Sequence, residues 1–327
     1  MILDVQGLTK VFRNRKSEFY ANDNISFSIK AGEIYGLLGH NGAGKTTLVN
    51  QIIGSIKPSS GEVYLLGESV QKDPLRARSI CSVQPQSQLP LGFMTPTQAV
   101  STMGMMRMGK KNDVKKRMEM LFEKLDMGQW VNTEGVKLSG GIRRLTSFCM
   151  AVIQPGKLVV LDEPTNDVDP VRRRYLWDVI RDLTNDGTSV ILVTHNVLEA
   201  EKAVDRVAIL HQGKFLTQGT PAEVKSTVSN QLRLEIGLTH DAADYALPEW
   251  VQSSRVNGGR MILSIDQELA TTAIEWAHQQ AEHGGIIDYS LAPTTLEDVY
   301  VTLTGGREAE EGAGAYSFHT GKEGAAV

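Results

Sequence analysis

Cysteine is almost absent from this chain of 327 residues: Cys81 and Cys149 are the whole complement. Two are too few for a disulfide framework, and they lack the spacing of a paired metal-ligand motif, so a reducing compartment is expected. Long apolar runs are also missing. No window approaches the roughly 18 to 20 apolar residues that span a bilayer, and MILDVQGLTK has no basic-then-apolar leader pattern. A membrane role would therefore come through a partner. Nor is there an excess of charge of one sign. Lys plus Arg number 34 against 38 Asp plus Glu, a formal charge of −4, which provides no global attraction to nucleic acid. What is present is ordinary: 41% apolar and 22% charged residues match a water-soluble globular chain and exclude wholesale disorder. At about 150 residues per domain the length predicts two domains.

From Met1 to about residue 220, short β-rich runs alternate with helical stretches, the pattern of a mostly parallel sheet covered by helices. Ile34–Leu38, Leu158–Leu161, Ser189–Val193 and Arg206–Leu210 read as its clearest strands. Each is a continuous apolar run, as expected of a strand buried on both faces. Residues 95–136 read as almost wholly helical, and eight of the eleven methionines fall between Met94 and Met127. These either fill gaps in a core or form an adaptable surface for a partner's helix, and different methionines can do each. A helical subdomain over about 95–150 is expected. Residues 221–306 read as a small α+β domain, with strands at Leu232–Leu238, Met261–Ile265 and Ile286–Leu291 and helices at Gln267–His283 and Thr295–Thr304. Residues 307–327 are Gly- and Ala-rich and read as a flexible tail.

Gly39-His-Asn41-Gly42-Ala-Gly44-Lys45-Thr46 matches G-x-x-x-x-G-K-[ST] directly after a strand and before a helix that begins near Thr47. The glycines let successive N–H groups curl around a triphosphate, and the following helix adds its positive end. Lys45 would reach the β- and γ-phosphates, and the Thr46 hydroxyl would hold Mg²⁺. ATP or GTP binding follows. Leu158–Leu161 then ends in Asp162-Glu163, at the strand terminus where open α/β sheets place their chemistry. Neighbouring strand residues point oppositely, so Asp162 is expected on the metal and Glu163 toward the γ-phosphate as the base for an attacking water.

Leu138-Ser139-Gly140-Gly141 before a helical run forms a second anion-gripping helix start. One nucleotide has one γ-phosphate, and two head-to-tail copies closing each other's sites use both loops economically. Arg172, Arg173 and Arg174 read as a solvated helix face.

With the phosphate loop, LSGG, LVVLDEPT and VTH in this order, and Ser139 only 23 residues before Asp162, the first 220 residues or so resemble the nucleotide-binding subunit of an ATP-binding-cassette (ABC) transporter. The resemblance implies an α/β P-loop NTPase fold, with a parallel core sheet, an antiparallel edge sheet and a helical subdomain. It implies ATP and Mg²⁺ between two cassettes, and separate transmembrane permease subunits at the inner membrane face. Carried over, Ser139, Gly140 and Gly141 would touch the opposite copy's nucleotide, Asp169 would link the two sites, and His195 would bond the γ-phosphate. The family's glutamine near metal and water falls on Gln84 or Gln86. Gln86 is favoured because it lies eight residues before Met94-Thr-Pro, the run-in to the next helix. The aromatic that stacks on adenine falls on Phe12, with Tyr20 second, and Thr47 completes the cradle. One departure is visible: the signature usually ends in glutamine, whereas this chain has LSGGIRR. That resembles an exporter branch including daunorubicin-resistance-type and related drug, lipid or polysaccharide exporters, as does the closing APTTLEDVYVTLTG. Its small last domain would support dimerisation or regulation. A nucleic-acid or ribosome clamp of the same superfamily is the alternative, as is a scaffold that binds ATP without turnover. The single cassette, and Glu163 with His195, weigh against these.

Overall fold

A computed structural model describes residues 1–14, 17–88, 90–227, 231–239 and 245–304; the expected tail at 307–327 lies outside them. The chain divides into two compact units, Met1–Pro221 and Ala222–Val327.

The first unit contains two sheets. Strands β1 (Leu3–Asn14), β2 (Ser17–Ile29), β4 (Ser60–Leu65) and β5 (Glu68–Ser69) form an antiparallel sheet ordered β2-β1-β4-β5. The second sheet holds β3 (Ile34–Leu38), β6 (Cys81–Gln84), β7 (Leu158–Asp162), β8 (Ser189–Thr194), β9 (Arg206–His211) and β10 (Lys214–Gly219) in the order β10-β9-β3-β8-β7-β6. Its pairs are parallel except β9 with β10. Every residue of β3, β7 and β8 is buried, which is why these strands are continuously apolar rather than alternating. Each fully buried Leu, Ile or Val contributes about 1.5–3 kcal/mol.

Helices α1 (Lys45–Ile52), α2 (Pro74–Ile80), α3 (Pro96–Met106), α4 (Lys111–Lys124), α5 (Gly140–Val152), α6 (Pro170–Asn185) and α7 (Val197–Ala203) complete the unit. Their starts are written locally. Thr95 and Gln98 form a reciprocal capping box before Pro96, Ser139 accepts from the Ile142 N–H, and Asp169 before Pro170 accepts from two. Helices α3, α4 and α5 pack together as a helical subdomain. Within it the methionines divide: Met118 and Met127 are buried, whereas Met105, Met106 and Met108 are exposed. The region is less continuously helical than its sequence predicts, since residues 125–139 run through turns and a short 3₁₀ segment.

Helix α8 (Pro221–Ser226) begins at the boundary. The second unit has β11 (Gln231–Leu238), β12 (Ser253–Asn257), β13 (Arg260–Asp266) and β14 (Ile286–Pro293) in the antiparallel order β12-β13-β11-β14, with α9 (Ala270–Glu282) and α10 (Leu296–Thr304). Its core is Leu234, Ile236, Met261, Leu263 and Ile265 against Ala273 and Ala277 of α9. The sequence reading omits β12, whose polar Ser-Ser-Arg start carries no apolar alternation.

Candidate active site

Parallel register brings the relevant loops to one edge. Leu38 lies level with Thr194, Asp162 with Val193, and Gln84 with Leu161. The segments leaving β3, β6, β7 and β8 thus emerge together at the strands' carboxyl ends. They border an open cavity of about 490 Å³ lined by Asn41, Gly42, Gly44, Lys45, Thr46 and Thr47, with Gln86, Asp162, Phe19 and Ala21.

The cradle depends on glycine where the chain is tightest. Gly44 has φ +108, and a Cβ there would lie 2.1 Å from the Ala21 carbonyl oxygen, so no side chain fits. Gly39, at the start of the loop, is similarly crowded by the Leu210 carbonyl. Lys45 is buried, its Nζ donating to the Gly39 and His40 carbonyls at 2.5 and 2.9 Å. Burial lowers its pKa, opposed by the charges of Glu163 and Asp162. Its ammonium is held by weak neutral acceptors that phosphate oxygens would outcompete.

The two carboxylates meet different surroundings. Asp162, the last residue of β7, lines the cavity. Burial, then the neighbouring Glu163 charge, pushes its carboxyl up to about 6, against Lys45 and Arg144. Glu163 turns away through a left-handed backbone, φ +51, uncommon for a non-glycine residue, and is not among the cavity's lining residues. It is 1% exposed. Its Oε2 accepts from Thr194 Oγ1 at 2.9 Å; its Oε1 accepts from the His195 N–H at 2.9 Å and from His195 Nδ1 at 2.6 Å. Burial alone would raise this carboxyl, but the His195 and Thr194 bonds hold it below the ordinary range. The same bond raises His195. Glu163 and His195 are thus a hydrogen-bonded pair beside the cradle, whereas the sequence reading points each separately at the γ-phosphate.

Of the two glutamines, Gln86 lines the cavity. Gln84 is fully buried, donating to the Arg144 carbonyl. The aromatic wall is Phe19, 58% exposed, rather than either residue expected. Phe12 pairs directly with Phe19 across the β1–β2 hairpin, and Val11 with Tyr20. Paired residues share a face and neighbours alternate, so Phe12 flanks Phe19 while Tyr20 points to the opposite side. Phe19 was missed because its position depends on hairpin register, which local composition does not reveal.

Ser139, Gly140, Gly141 and Asp169 do not line this cavity. Ser139 caps α5 on an exposed surface. Asp169 caps α6 and pairs with Arg172 at 3.0 Å, bonds that lower its pKa although its slight burial acts the other way. Arg172 is not the solvated residue its charge run predicts. Its side chain is only 17% exposed, stacks 4.6 Å from the Trp130 ring centre and also pairs with Asp126.

Among the described residues no cluster of three or more His, Cys, Asp or Glu is positioned to hold a metal. The Thr46 hydroxyl, Asp162 carboxylate and Gln86 amide offer hard oxygens without sulfur or imidazole, a donor set suited to Mg²⁺ that shares phosphate and water ligands.

Comparison with known proteins agrees with this architecture. A family model described as "ABC transporter" matches residues 22–166. The daunorubicin/doxorubicin resistance ATP-binding protein DrrA of Streptomyces peucetius is 29% identical over 95% of this chain and 96% of its own. The Nod factor export ATP-binding protein I of Ralstonia nicotianae is 30% identical over 93% and 94%. Human phospholipid-transporting ATPase ABCA7 is 30% identical over 92% of this chain, which spans only 14% of that longer protein. Among solved structures, the ATP-binding subunit of an ABC transporter covers 70% of this chain at 22% identity with a TM-score of 0.64. A dimeric post-hydrolysis cassette, MJ0796 bound to ADP and Pi, covers 67% at 22% identity with a TM-score of 0.60. The chain belongs to the ATP-binding proteins of ABC transporters. It is an ABC-type ATPase with an α/β P-loop fold, and ATP is its nucleotide.

Proposed function

We propose that this ATPase powers an exporter, closing in pairs on ATP and passing that closure to separate transmembrane subunits. The observation that carries the pairing is a separation within one chain. The cradle residues Lys45, Thr46, Asp162 and Gln86 line one cavity, and Ser139, Gly140, Gly141 and Asp169 do not. A helix start with an exposed serine at its cap favours an anion, and twofold symmetry would bring the partner's nucleotide to it. Phosphate oxygens would draw Lys45 off its loop carbonyls, and Phe19, flanked by Phe12, would stack on the base. Mg²⁺, when bound by Thr46 and Asp162 with Gln86, would neutralise phosphate charge. Glu163 would take the proton of the attacking water once His195 releases it, and His195 would then be free to bond the γ-phosphate.

Export is supported by the similarity to the Nod factor export ATP-binding protein I, and the similarity to the drug-resistance protein DrrA fits it. A groove of about 270 Å³ at the β6 edge, lined by Val83, Met103, Arg107 and Met150, would seat a segment of the membrane subunit. No helix among the described residues is long and apolar enough to cross a membrane, and peripheral attachment at the cytoplasmic face fits that role. Steady-state ATPase and size-exclusion measurements test the reading: Mg-ATP should be turned over and should drive pairing. Lys45→Ala should lose both, whereas Ser139→Ala should bind ATP yet fail to pair. A Ser139→Ala protein that pairs normally would refute the in-trans contact.

A further inference from the structure

The departure in the signature stretch, Ile142-Arg143-Arg144, has no role in the cycle above, yet Arg144 has specific surroundings. It is the fifth residue of α5 and only 4% exposed. Among the described residues no carboxylate lies within ion-pair distance of its guanidinium, although its charge acts on Asp162. Instead Nη1 donates to the Pro85 carbonyl at 3.1 Å and Nη2 to the Gln86 carbonyl at 2.8 Å. The same segment is tied to α5 twice more, by Gln84 Nε2 to the Arg144 carbonyl at 3.3 Å and by Gln88 Nε2 to the Gly140 carbonyl at 3.4 Å. Residues 85–88, which leave β6, have no sheet partner, so their carbonyls must be satisfied by side chains or water. A planar fork fits two successive carbonyls, whereas a lysine reaches them only as a point charge.

We propose that Arg144 is a positioning residue for Gln86: it fixes the peptide that carries the Gln86 amide to the helix whose first turn carries Ser139. A shift of α5 on meeting the partner's nucleotide is then passed to Gln86 over five residues of rigid helix. This rests on the reading of Gln86 as a residue of the hydrolytic site.

The test is steady-state ATPase on the full chain for Arg144→Gln, Arg144→Lys, Gln86→Ala and the double variant Arg144→Gln/Gln86→Ala. ATP is titrated at fixed excess Mg²⁺, and then Mg²⁺ at saturating ATP. Arg144→Gln should keep ATP affinity within about threefold and lose about 10- to 100-fold in kcat. Its Mg²⁺ half-saturation should rise as in Gln86→Ala. The double variant should be no slower than Gln86→Ala, because one residue acts through the other, and Arg144→Lys should fall between. Parent-like kcat and Mg²⁺ dependence in Arg144→Gln, or losses that multiply in the double variant, overturn the proposal. If Gln86→Ala is impaired and Arg144→Gln is not, the proposal fails alone; if Gln86→Ala matches the parent, the reading of Gln86 fails with it. Should Arg144→Gln not fold by circular dichroism, Arg144→Lys decides. A raised Mg²⁺ half-saturation with lowered kcat supports the proposal, and a parent-like Mg²⁺ curve overturns it.

Discussion

Replacing Glu163 by Gln removes the charge of a carboxylate that accepts three hydrogen bonds while 1% exposed. A positioned general base is worth about 10²- to 10⁴-fold in rate, which at about 1.36 kcal/mol per tenfold is about 2.7–5.4 kcal/mol of barrier. No cradle contact is lost, since Lys45, Thr46 and Gly44 line the cavity and Glu163 does not; what the cradle loses is a negative charge that acts on Lys45 and Asp162 and would repel phosphate. Glu163→Gln should therefore bind ATP at least as tightly as the parent, hydrolyse it at least about 100-fold more slowly and accumulate as a long-lived ATP-bound pair. The amide oxygen can keep both His195 bonds, but its NH₂ can only donate to Thr194 Oγ1, and all three bonds lose their charge assistance. The His195 ring is more than half exposed, and after solvent screening this costs about 1 kcal/mol in the nucleotide-free protein. For a unit of the size of Met1–Pro221, which holds the site, that is a fall of about 2–4 °C in Tm. A coupled phosphate-release assay, light scattering of the ATP-loaded species and calorimetry measure these quantities. Hydrolysis within about threefold of the parent refutes the assignment of the base. A slowed enzyme that has also lost ATP affinity attributes the defect to the cradle.

Phe19→Ala should raise the KM for ATP by about 10-fold, as loss of about 1–3 kcal/mol of base stacking requires, with Tyr20→Ala near the parent. Equal effects of the two would contradict the hairpin register. The Glu163–His195 bond sets a pH window in the nucleotide- and metal-free protein. With His195 raised above its ordinary 6.5, its contribution is full below that value and fades as pH rises through the higher folded value. With Glu163 lowered below its ordinary 4.5, its contribution is present above that value and fades as pH falls through the lower folded value. The Tm gap between parent and His195→Ala should thus be widest between 4.5 and 6.5 and narrow on either side; a gap that widens steadily to pH 9 would count against the pair. Both thiols are buried, which pushes Cys81 up to about 12 and raises Cys149 as well. Neither should react with a disulfide reagent at pH 8 before unfolding, and rapid labelling of the native protein would show the burial to be wrong.

The phosphate loop, the strand ending in Asp162-Glu163 and the capped helix start at Ser139 were legible because each is a local code. A glycine is needed where φ is positive or a carbonyl crowds the chain, an Asp or Ser where N–H groups lie open, and an unbroken apolar run where both faces are covered. Once the resemblance pointed to a glutamine there, the preference for Gln86 over Gln84 came from its distance to the next helix, and Gln86 is the one that lines the cavity. Phe19, Arg144 and Arg172 were not legible. Each acts on a residue distant in sequence: Arg144 on Pro85 and Gln86, Arg172 on Asp126 and Trp130, Phe19 beside a phosphate loop more than 20 positions on.

By itself the amino-acid order marked most of the elements and the phosphate loop, since propensity, capping and phosphate cradling act over a few neighbours, but not β12 or the turns of residues 125–139. Tertiary structure alone decided that the Glu163 carboxylate rests on His195, that Phe19 walls the cavity and that a buried arginine holds the Gln86 loop. Those outcomes depend on strand register and on burial, and both come into being only when segments far apart in the chain are packed together.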